Sequence, residues 1–451
     1  MYLEMTPNKI IDKLKSIETN PKKIFDNIKN LNTFESLSLR DYRLLWMGQL
    51  ATSMGQWMDQ TTRSWLIYEI TGSYLQLGLV SACRGIPLLL FGVVAGTVAD
   101  RYGRKAQLII AQTVNAILNL ILATLVVTGH IEVWHIYVTA FLAGTVQAFQ
   151  QPARQVLIND LVGGKHLMNA IALNSAAFNV SRSIGPAVAG LLITLVGTSG
   201  SYYAQAAIYA FATIWTVQIV VPKITKISTE KLTTGQSFLS STKDGLAYIV
   251  KNRLILALMI LGLAPILLGM PYTSMMPAFA TTVFHGNANI QGWLVGAVGV
   301  GAVIGTLSIA SMGHRQGNGK LLVAGATFFG VSLILFSRSP IWQIAMIFTF
   351  CAGLSSSAYT TQDQTIIQTL APKEMRGRVL GVYFLNRGLM PIGSLIAGAL
   401  AQWLNSAPWA ITIMGTSCVL VAVLMAILVP EILKLGNLNA GEGNDTPLKS
   451  S

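Results

Sequence analysis

The feature that most constrains this chain is a series of apolar stretches, each about 20 residues long, that runs from Leu44 to Val429. About 20 residues of α-helix cross the roughly 30 Å hydrocarbon layer of a bilayer. Apolar residues make up 52% of the chain and charged residues only 11%. A soluble domain of 451 residues would need more polar side chains on its surface. The pattern therefore predicts an all-α integral membrane protein.

Twelve such stretches are present, and we expect each to form one transmembrane helix. The predicted spans are residues 44–69, 75–98, 106–129, 132–153, 169–195, 201–221, 253–283, 290–313, 320–337, 340–362, 377–402 and 408–429. The predicted organisation is a basic N-terminal arm (1–43), a six-helix bundle (44–221), a central loop (222–252), a second six-helix bundle (253–430) and a polar tail (431–451).

The formal net charge of +13 is compatible with a nucleic-acid partner, but the positions of the charges argue against one. Basic residues cluster in the arm 1–43 and in alternate short connections, for example Arg104 and Lys105. Connections rich in lysine and arginine stay on the cytoplasmic side of a membrane. We therefore expect a bacterial inner membrane location, with both termini and the central loop in the cytoplasm.

Two polar segments carry weak helical patterns. In the arm, Ile10, Leu14 and Ile17 recur among lysines, which favours either a helix on the membrane surface or a solvated tail. In the central loop, Leu246 and Val250 are four residues apart and predict a short surface helix.

Nothing in the sequence predicts catalysis, a metal site or a cofactor. Cys83, Cys351 and Cys418 lie within apolar stretches, so neither a disulfide framework nor a cysteine-based metal site is expected. The chain contains no phosphate-binding Walker loop and no serine nucleophile elbow,. We therefore expect that the protein is not an enzyme and that an ion gradient, rather than ATP, supplies its energy.

The connection between the second and third spans reads GTVADRYGRK over residues 96–105. This segment matches the signature G-x-x-x-D-R-x-G-R-[KR], and the chain resembles the major facilitator superfamily over about residues 40–430. The resemblance implies two pseudo-symmetric six-helix bundles. It also implies a latch between them, formed by Gly96, Asp100, Arg101, Gly103, Arg104 and Lys105. A simple positively charged anchor is the alternative, and it leaves Asp100 without a role.

The fifth span contains a second, partial match. Its residues 181–190 are similar to the G-x-x-x-G-P-x-x-G-G signature of family antiporters, with Gly185, Pro186 and Gly190 in place. Ser181 and Ala189 replace two of the glycines. The proline predicts a kink, so the alternatives are an exporter signature and a bent packing helix, which leaves the direction of transport open.

Two further stretches, Trp65–Ser73 and Pro372–Val379, resemble the drug and siderophore exporter branch of this superfamily, which includes macrolide efflux pumps and enterobactin exporters. The leading hypothesis is a proton-coupled exporter of drugs or of a small anionic metabolite such as a siderophore, and we expect a monomer. The alternatives are an importer or lysolipid translocator on the same fold, and an uncoupled channel or sensor.

Five charged residues lie inside apolar spans, where each costs about 2.5 to 3.5 kcal/mol and is a functional candidate by default. They are Asp59, Arg63, Arg84, Arg182 and Arg387. Asp59 is placed as the only carboxylate deep in a span and is the candidate proton carrier. It can pair with Arg63, four residues on, or with Arg84, and such pairs can also be purely structural.

The remaining arginines, Arg182 and Arg387, each precede a proline by four residues in matching spans of the two halves, which favours an internal duplication. We expect them to attract an anion in the cavity that the family resemblance implies. Trp57, Gln60, Asn179, Tyr272 and Asn386 are the other candidate substrate-binding residues, although each one alone is more often a helix-packing residue.

Overall fold

The computed structural model describes residues 32–101, 103–221, 238–312, 318–372 and 374–435. All regular structure in these ranges is helical. The predicted surface helix of the N-terminal arm and the polar tail from residue 436 lie outside the described residues.

The first part of the chain forms four long helical elements after a 3₁₀ turn at Asn32–Ser38. They are α1 (Arg40–Thr71), α2 (Tyr74–Arg101), α3 (Arg104–Val127) and α4 (Val133–Val217). Within α4, Gly163 and Gly197 have φ angles of 64° and 76°, a left-handed conformation that glycine adopts without steric cost. They divide α4 into three stretches, here called α4a (133–162), α4b (164–196) and α4c (198–217).

The second part contains α5 (Phe238–Lys251), α6 (Arg253–Val283), α7 (Ala288–Ser311), α8 (Gly319–Ser337), α9 (Trp342–Leu370), α10 (Arg376–Arg387), α11 (Met390–Trp403), α12 (Ala407–Leu428) and α13 (Glu431–Lys434). Helix α5 lies where the central loop predicted a surface helix, and its Leu246 and Val250 are exposed.

Helix α6 changes geometry along its length. It is α-helical to Ala264, widens over Pro265–Gly269 and tightens into a 3₁₀ turn over Met270–Met275. Proline removes a backbone donor and disturbs the preceding turn, and this stretch contains Pro265 and Pro271. Tyr272 lies in the 3₁₀ turn of this irregular stretch and is buried.

Helices before residue 221 pack mainly on α4, whereas α7, α8, α9 and α12 pack mainly on one another. The two sets meet where α2 packs on α11 and where α4b packs on α7. The second contact is close because glycines face each other: a methyl group at Gly292 would lie 2.6 Å from the carbonyl oxygen of Pro186. Small residues allow such backbone approach between membrane helices.

One end of the helices, here called the upper end, carries the α1–α2 turn and the C-terminus of α11. The Ser73 hydroxyl donates to Oε1 of Gln402 at 3.0 Å there. The opposite, lower end carries the α2–α3 connection and the C-terminus of α4c, where the ammonium group of Lys105 donates to two carbonyl oxygens.

Nine segments of the described chain are long and apolar enough to cross a membrane, so the expected all-helical, membrane-spanning architecture is confirmed. Helix α1 is not among them because it contains many polar residues. It buries these inside the protein, for example Gln49, Asp59 and Arg63. The count of twelve spans and the bundle boundaries stay predictions.

Candidate functional site

A cavity of about 360 Å³ lies between the two sets of helices. Residues of α1, α2 and α4 line one side, and residues of α6, α7, α8, α9 and α11 line the other. Of the candidate substrate-binding residues, Trp57, Gln60, Arg63, Arg84, Arg182 and Tyr272 line it. These six residues, which the cavity brings together, are up to 215 positions apart in sequence, from Trp57 to Tyr272.

Asp59 lies beside the cavity between two arginines. Its carboxylate accepts from Nη2 of Arg63 at 2.8 Å and also pairs with Arg84. Arg63 donates in addition to the hydroxyl of Thr139 at 2.6 Å and to the carbonyl oxygen of Ile136 at 3.2 Å. Both pairings that the sequence allowed for Asp59 are thus present at once, and they tie α1 to α2 and α4a.

Arg182 occupies a different environment. Its guanidinium lies over the indole ring of Trp57, 5.7 Å from the ring centroid, and Phe178 meets the same indole edge-on at 5.8 Å. No ion pair of Arg182 is found among the described residues. A guanidinium over an indole face is attracted to it by the ring quadrupole, which orients Arg182 while leaving its N–H groups for an anion.

Tyr272 faces these residues from the irregular part of α6. Its ring is 2% exposed and packs edge-on against Phe336 and Phe329 at 5.9 and 6.5 Å. Within the described part of the chain, neither its hydroxyl nor Nε1 of Trp57 has a hydrogen-bond partner. Buried donors of this kind normally have a partner, so both groups are suited to hydrogen-bonding a ligand.

Three sequence candidates are not placed in the cavity. Asn179 and Asn386 do not line it, and the side-chain amide of Asn179 donates instead to the carbonyl oxygen of Ser175. The side chain of Arg387 lies outside the described residues, so the expectation that it joins Arg182 in attracting an anion to the cavity stays a prediction.

The structure adds a cavity residue that sequence reasoning missed. Gln291, in the first turn of α7, is 1% exposed and donates from Nε2 to the carbonyl oxygen of Thr61 at 3.2 Å and to the hydroxyl of Ser64 at 2.9 Å. Gln291 is the second residue of the predicted span 290–313. A polar residue is common at the end of a span, so its position gave no signal of a buried contact.

A second buried carboxylate corrects the placement of Asp59 as the only one. The tenth predicted span stopped at residue 362, but α9 continues to Leu370 and Asp363 is 0% exposed within it. A methyl group at Gly262 would collide with the Asp363 carboxylate, which shows that α6 passes directly beside this carboxylate. The apolar pattern weakens over the polar sequence around Asp363, so hydropathy ended the span too early.

The latch residues lie at the lower end, where Gly103 separates α2 from α3. Arg104 forms an ion pair with Asp160 of α4a, a partner that the sequence did not suggest. Lys105 donates to the carbonyl oxygens of Val217 and Ile219, both at 2.7 Å, where a helix C-terminus carries partial negative charge. The side chains of Asp100 and Arg101 lie outside the described residues, as does all of Tyr102.

In the fifth predicted span, the kink-motif residues lie on α4b. Gly185 faces α1, where a methyl group would lie 2.8 Å from Cβ of Trp57. Gly190 faces α7, where a methyl group would lie 2.5 Å from the carbonyl oxygen of Ala288. The two glycines, one residue before and four residues after Pro186, thus let α4b approach α1 and α7 closely.

Comparison with known proteins identifies the family. The model of the transmembrane secretion effector family matches residues 31–446. The chain belongs to this family, within the drug and siderophore exporter branch of the major facilitator superfamily. It is 26% identical to the staphyloferrin A transporter of Staphylococcus aureus (strain NCTC 8325 / PS 47) over 398 residues, 86% of this chain and 96% of the relative.

Another relative, macrolide efflux protein A of Streptococcus pyogenes, is 24% identical over 412 residues, 90% of this chain and 99% of the relative. Among solved structures, a D-xylose-proton symporter superposes with a TM-score of 0.65 at 14% identity, covering 88% of this chain and 99% of that chain. The fold resemblance and the relatives confirm a membrane transporter of the major facilitator superfamily, and not an enzyme.

Proposed function

We propose that this protein exports a small anionic metabolite such as a siderophore, or a drug, in exchange for protons. The observation that carries the proposal is Arg182, which lines the central cavity over Trp57 and has no acidic partner among the described residues. Arg182 is half-buried, and a charge withdrawn from water is costly without a counter-charge, which an anionic substrate supplies. The names of the two relatives, a staphyloferrin A transporter and a macrolide efflux protein, support this substrate range.

The proposed mechanism is alternating access between two six-helix bundles, 44–221 and 253–430. Twelve crossings follow if α1 and α4a span the membrane with their polar faces turned inward, and if the segment His166–Val217 crosses twice because Gly197 breaks it. Nine segments then become twelve spans. A cavity midway along helices from both halves is what a rocking-bundle transporter requires.

The described state is closed at the upper end, where Gln402 and Gln291 hydrogen-bond across the two halves. With basic connections placed in the cytoplasm, the upper end is the outer one. We assign this state as inward-facing, and we assign the segment around Asp100 as the latch that engages when the transporter opens outward. The bacterial inner membrane, a monomeric state and cytoplasmic termini belong to the same proposal, and no nucleic-acid partner does.

For proton coupling we retain Asp59 as a candidate and add Asp363. Protonating Asp59 would leave Arg63 and Arg84 without a counter-charge, which makes Asp59 costly to use as a carrier. Asp363 is equally buried and lies in the other half. Asp59 and Asp363 are therefore alternative proton carriers, and substituting each one separately distinguishes between them.

Everted membrane vesicles from a strain lacking the gene, with and without the restored protein, test the proposal. Labelled siderophores, macrolides and organic anions should accumulate only when an acid interior is imposed, because export in the cell is uptake in an everted vesicle. Accumulation only in right-side-out vesicles would establish an importer. Equilibration without a gradient would establish a channel, and movement of lysolipid alone would establish a lipid translocator.

A further inference from the structure

We propose that Gln291 both contacts the substrate and holds the upper end closed. This inference rests on the proposed function, transport by alternating access. It goes further in two respects. The substrate carries a hydrogen-bond donor for Gln291, and the hydrogen bonds of Gln291 to α1 hold the upper end of the transporter closed.

The closing role follows from the two bonds that Gln291 makes to α1, to the carbonyl oxygen of Thr61 and the hydroxyl of Ser64. Gln291 belongs to α7, in the second half of the chain, and α1 belongs to the first half. The adjacent Gly292 packs closely against the backbone of Pro186, so the start of α7 also contacts α4b. The upper ends cannot separate unless the bonds of Gln291 break.

The substrate role follows from the orientation of the amide. A backbone carbonyl can only accept a hydrogen bond, so Nε2 of Gln291 must face Thr61 and Oε1 must face elsewhere. Oε1 is buried and has no donor among the described residues, although Gln291 lines the cavity. A buried acceptor without a donor is unfavourable, and a ligand hydroxyl or amide N–H would satisfy it.

Together with Arg182, this acceptor defines a class of substrate. Arg182 on α4b takes an anionic group, and Gln291 on α7 takes a hydrogen-bond donor carried by the same molecule. Trp57, Tyr272 and Phe329 supply aromatic walls. The geometry points to an anion that bears a hydroxyl or amide donor, held across the contact between the two halves.

The closing role is tested on the full-length protein by the distance between two spin labels at the upper end. The labels are attached at His130→Cys and Trp403→Cys, which are exposed, in a background of Cys83→Ala, Cys351→Ala and Cys418→Ala. Gln291→Met keeps the side-chain volume but removes the bonds. It should raise the ratio of upper-open to upper-closed molecules about tenfold, the effect expected for one or two neutral hydrogen bonds.

Gln402→Met is the matched control, because Gln402 also bridges the halves at the upper end but is exposed to solvent. It should change the ratio less than about twofold. An unchanged ratio in Gln291→Met, or an equal change in the two variants, would overturn the closing role. Gln291→Glu, which cannot donate to the Thr61 carbonyl when ionised, should open the upper end as well.

The substrate role is tested with two aromatic acids that differ by one hydroxyl, mandelate and phenylacetate, by titration calorimetry on the purified protein. The wild type should bind mandelate about fivefold more tightly, and Gln291→Met should remove the difference. Equal affinities in the wild type, a difference that persists in the variant, or no binding of either acid would overturn the contact. A failure of vesicle transport with both tests positive would instead refute the proposed function alone.

Discussion

Replacing Asp59 by asparagine should destabilise the protein, because it leaves two arginines inside the membrane without their counter-charge. Arg63 is 3% exposed and Arg84 has a side-chain exposure of 16%. Removing one partner of a buried ion pair costs about 3–5 kcal/mol. We expect the free energy of unfolding of Asp59→Asn to fall by about this amount.

A second substitution should restore part of the loss. In Asp59→Asn combined with Arg84→Gln, the remaining Arg63 keeps its bonds to Thr139 and Ile136. The double variant should therefore be more stable than the single one. Asp244→Asn is the matched control, because its pair with Arg378 is largely exposed and exposed pairs contribute only about 0–1 kcal/mol.

Thermal unfolding in one detergent, followed by intrinsic fluorescence, measures stability, and gradient-driven vesicle transport is measured on the same variants. If Asp59→Asn unfolds at the same temperature as Asp244→Asn, the structural account of the three charges is wrong. If the double variant transports with gradient dependence, Asp59 carries no proton and Asp363 becomes the candidate. A stable single variant that transports without regard to the gradient would establish Asp59 as the carrier.

Three further predictions follow from the site and the latch. In calorimetric titration, Arg182→Gln should weaken binding of an anionic substrate about ten- to a hundredfold, and Arg182→Lys should weaken it less. Arg338→Gln is the control, because it removes a similar but exposed stacking on Trp409, and it should not change the affinity. Equal affinity in the wild type and Arg182→Gln, with a lowered melting temperature, would show instead that Arg182 only stabilises the helix near Pro186. Asp100→Asn should slow vesicle transport while leaving the amount of protein in the membrane near normal, and unchanged transport at equal abundance would reduce the segment to a charge anchor. Gly292→Leu should prevent close packing of α7 on α4b. It should therefore lower the melting temperature or increase the fraction of upper-open molecules measured by the spin-label distances. An unchanged melting temperature together with unchanged distances would contradict the packing account.

The sequence alone predicted much of what the structure describes. Apolar stretches of about 20 residues predicted membrane helices, because a bilayer imposes one length and one composition on every crossing. The segment GTVADRYGRK indicated the superfamily, and the family comparison confirms it. The buried charges of Asp59, Arg63 and Arg84 were recognisable because charge is rare inside a membrane.

Only the tertiary structure decided which of these residues meet. The sequence allowed Asp59 to pair with Arg63 or Arg84, and the packing of α2 against α1 allows both pairs. It placed Asn179 among the cavity residues, although the cavity is lined without it. It overlooked Gln291 and Asp363, because an amide at the start of a span and a carboxylate in a polar helix end do not stand out in a hydropathy pattern. Contacts between residues 200 positions apart depend on how helices cross and rotate, and periodicity within one helix carries no information about that.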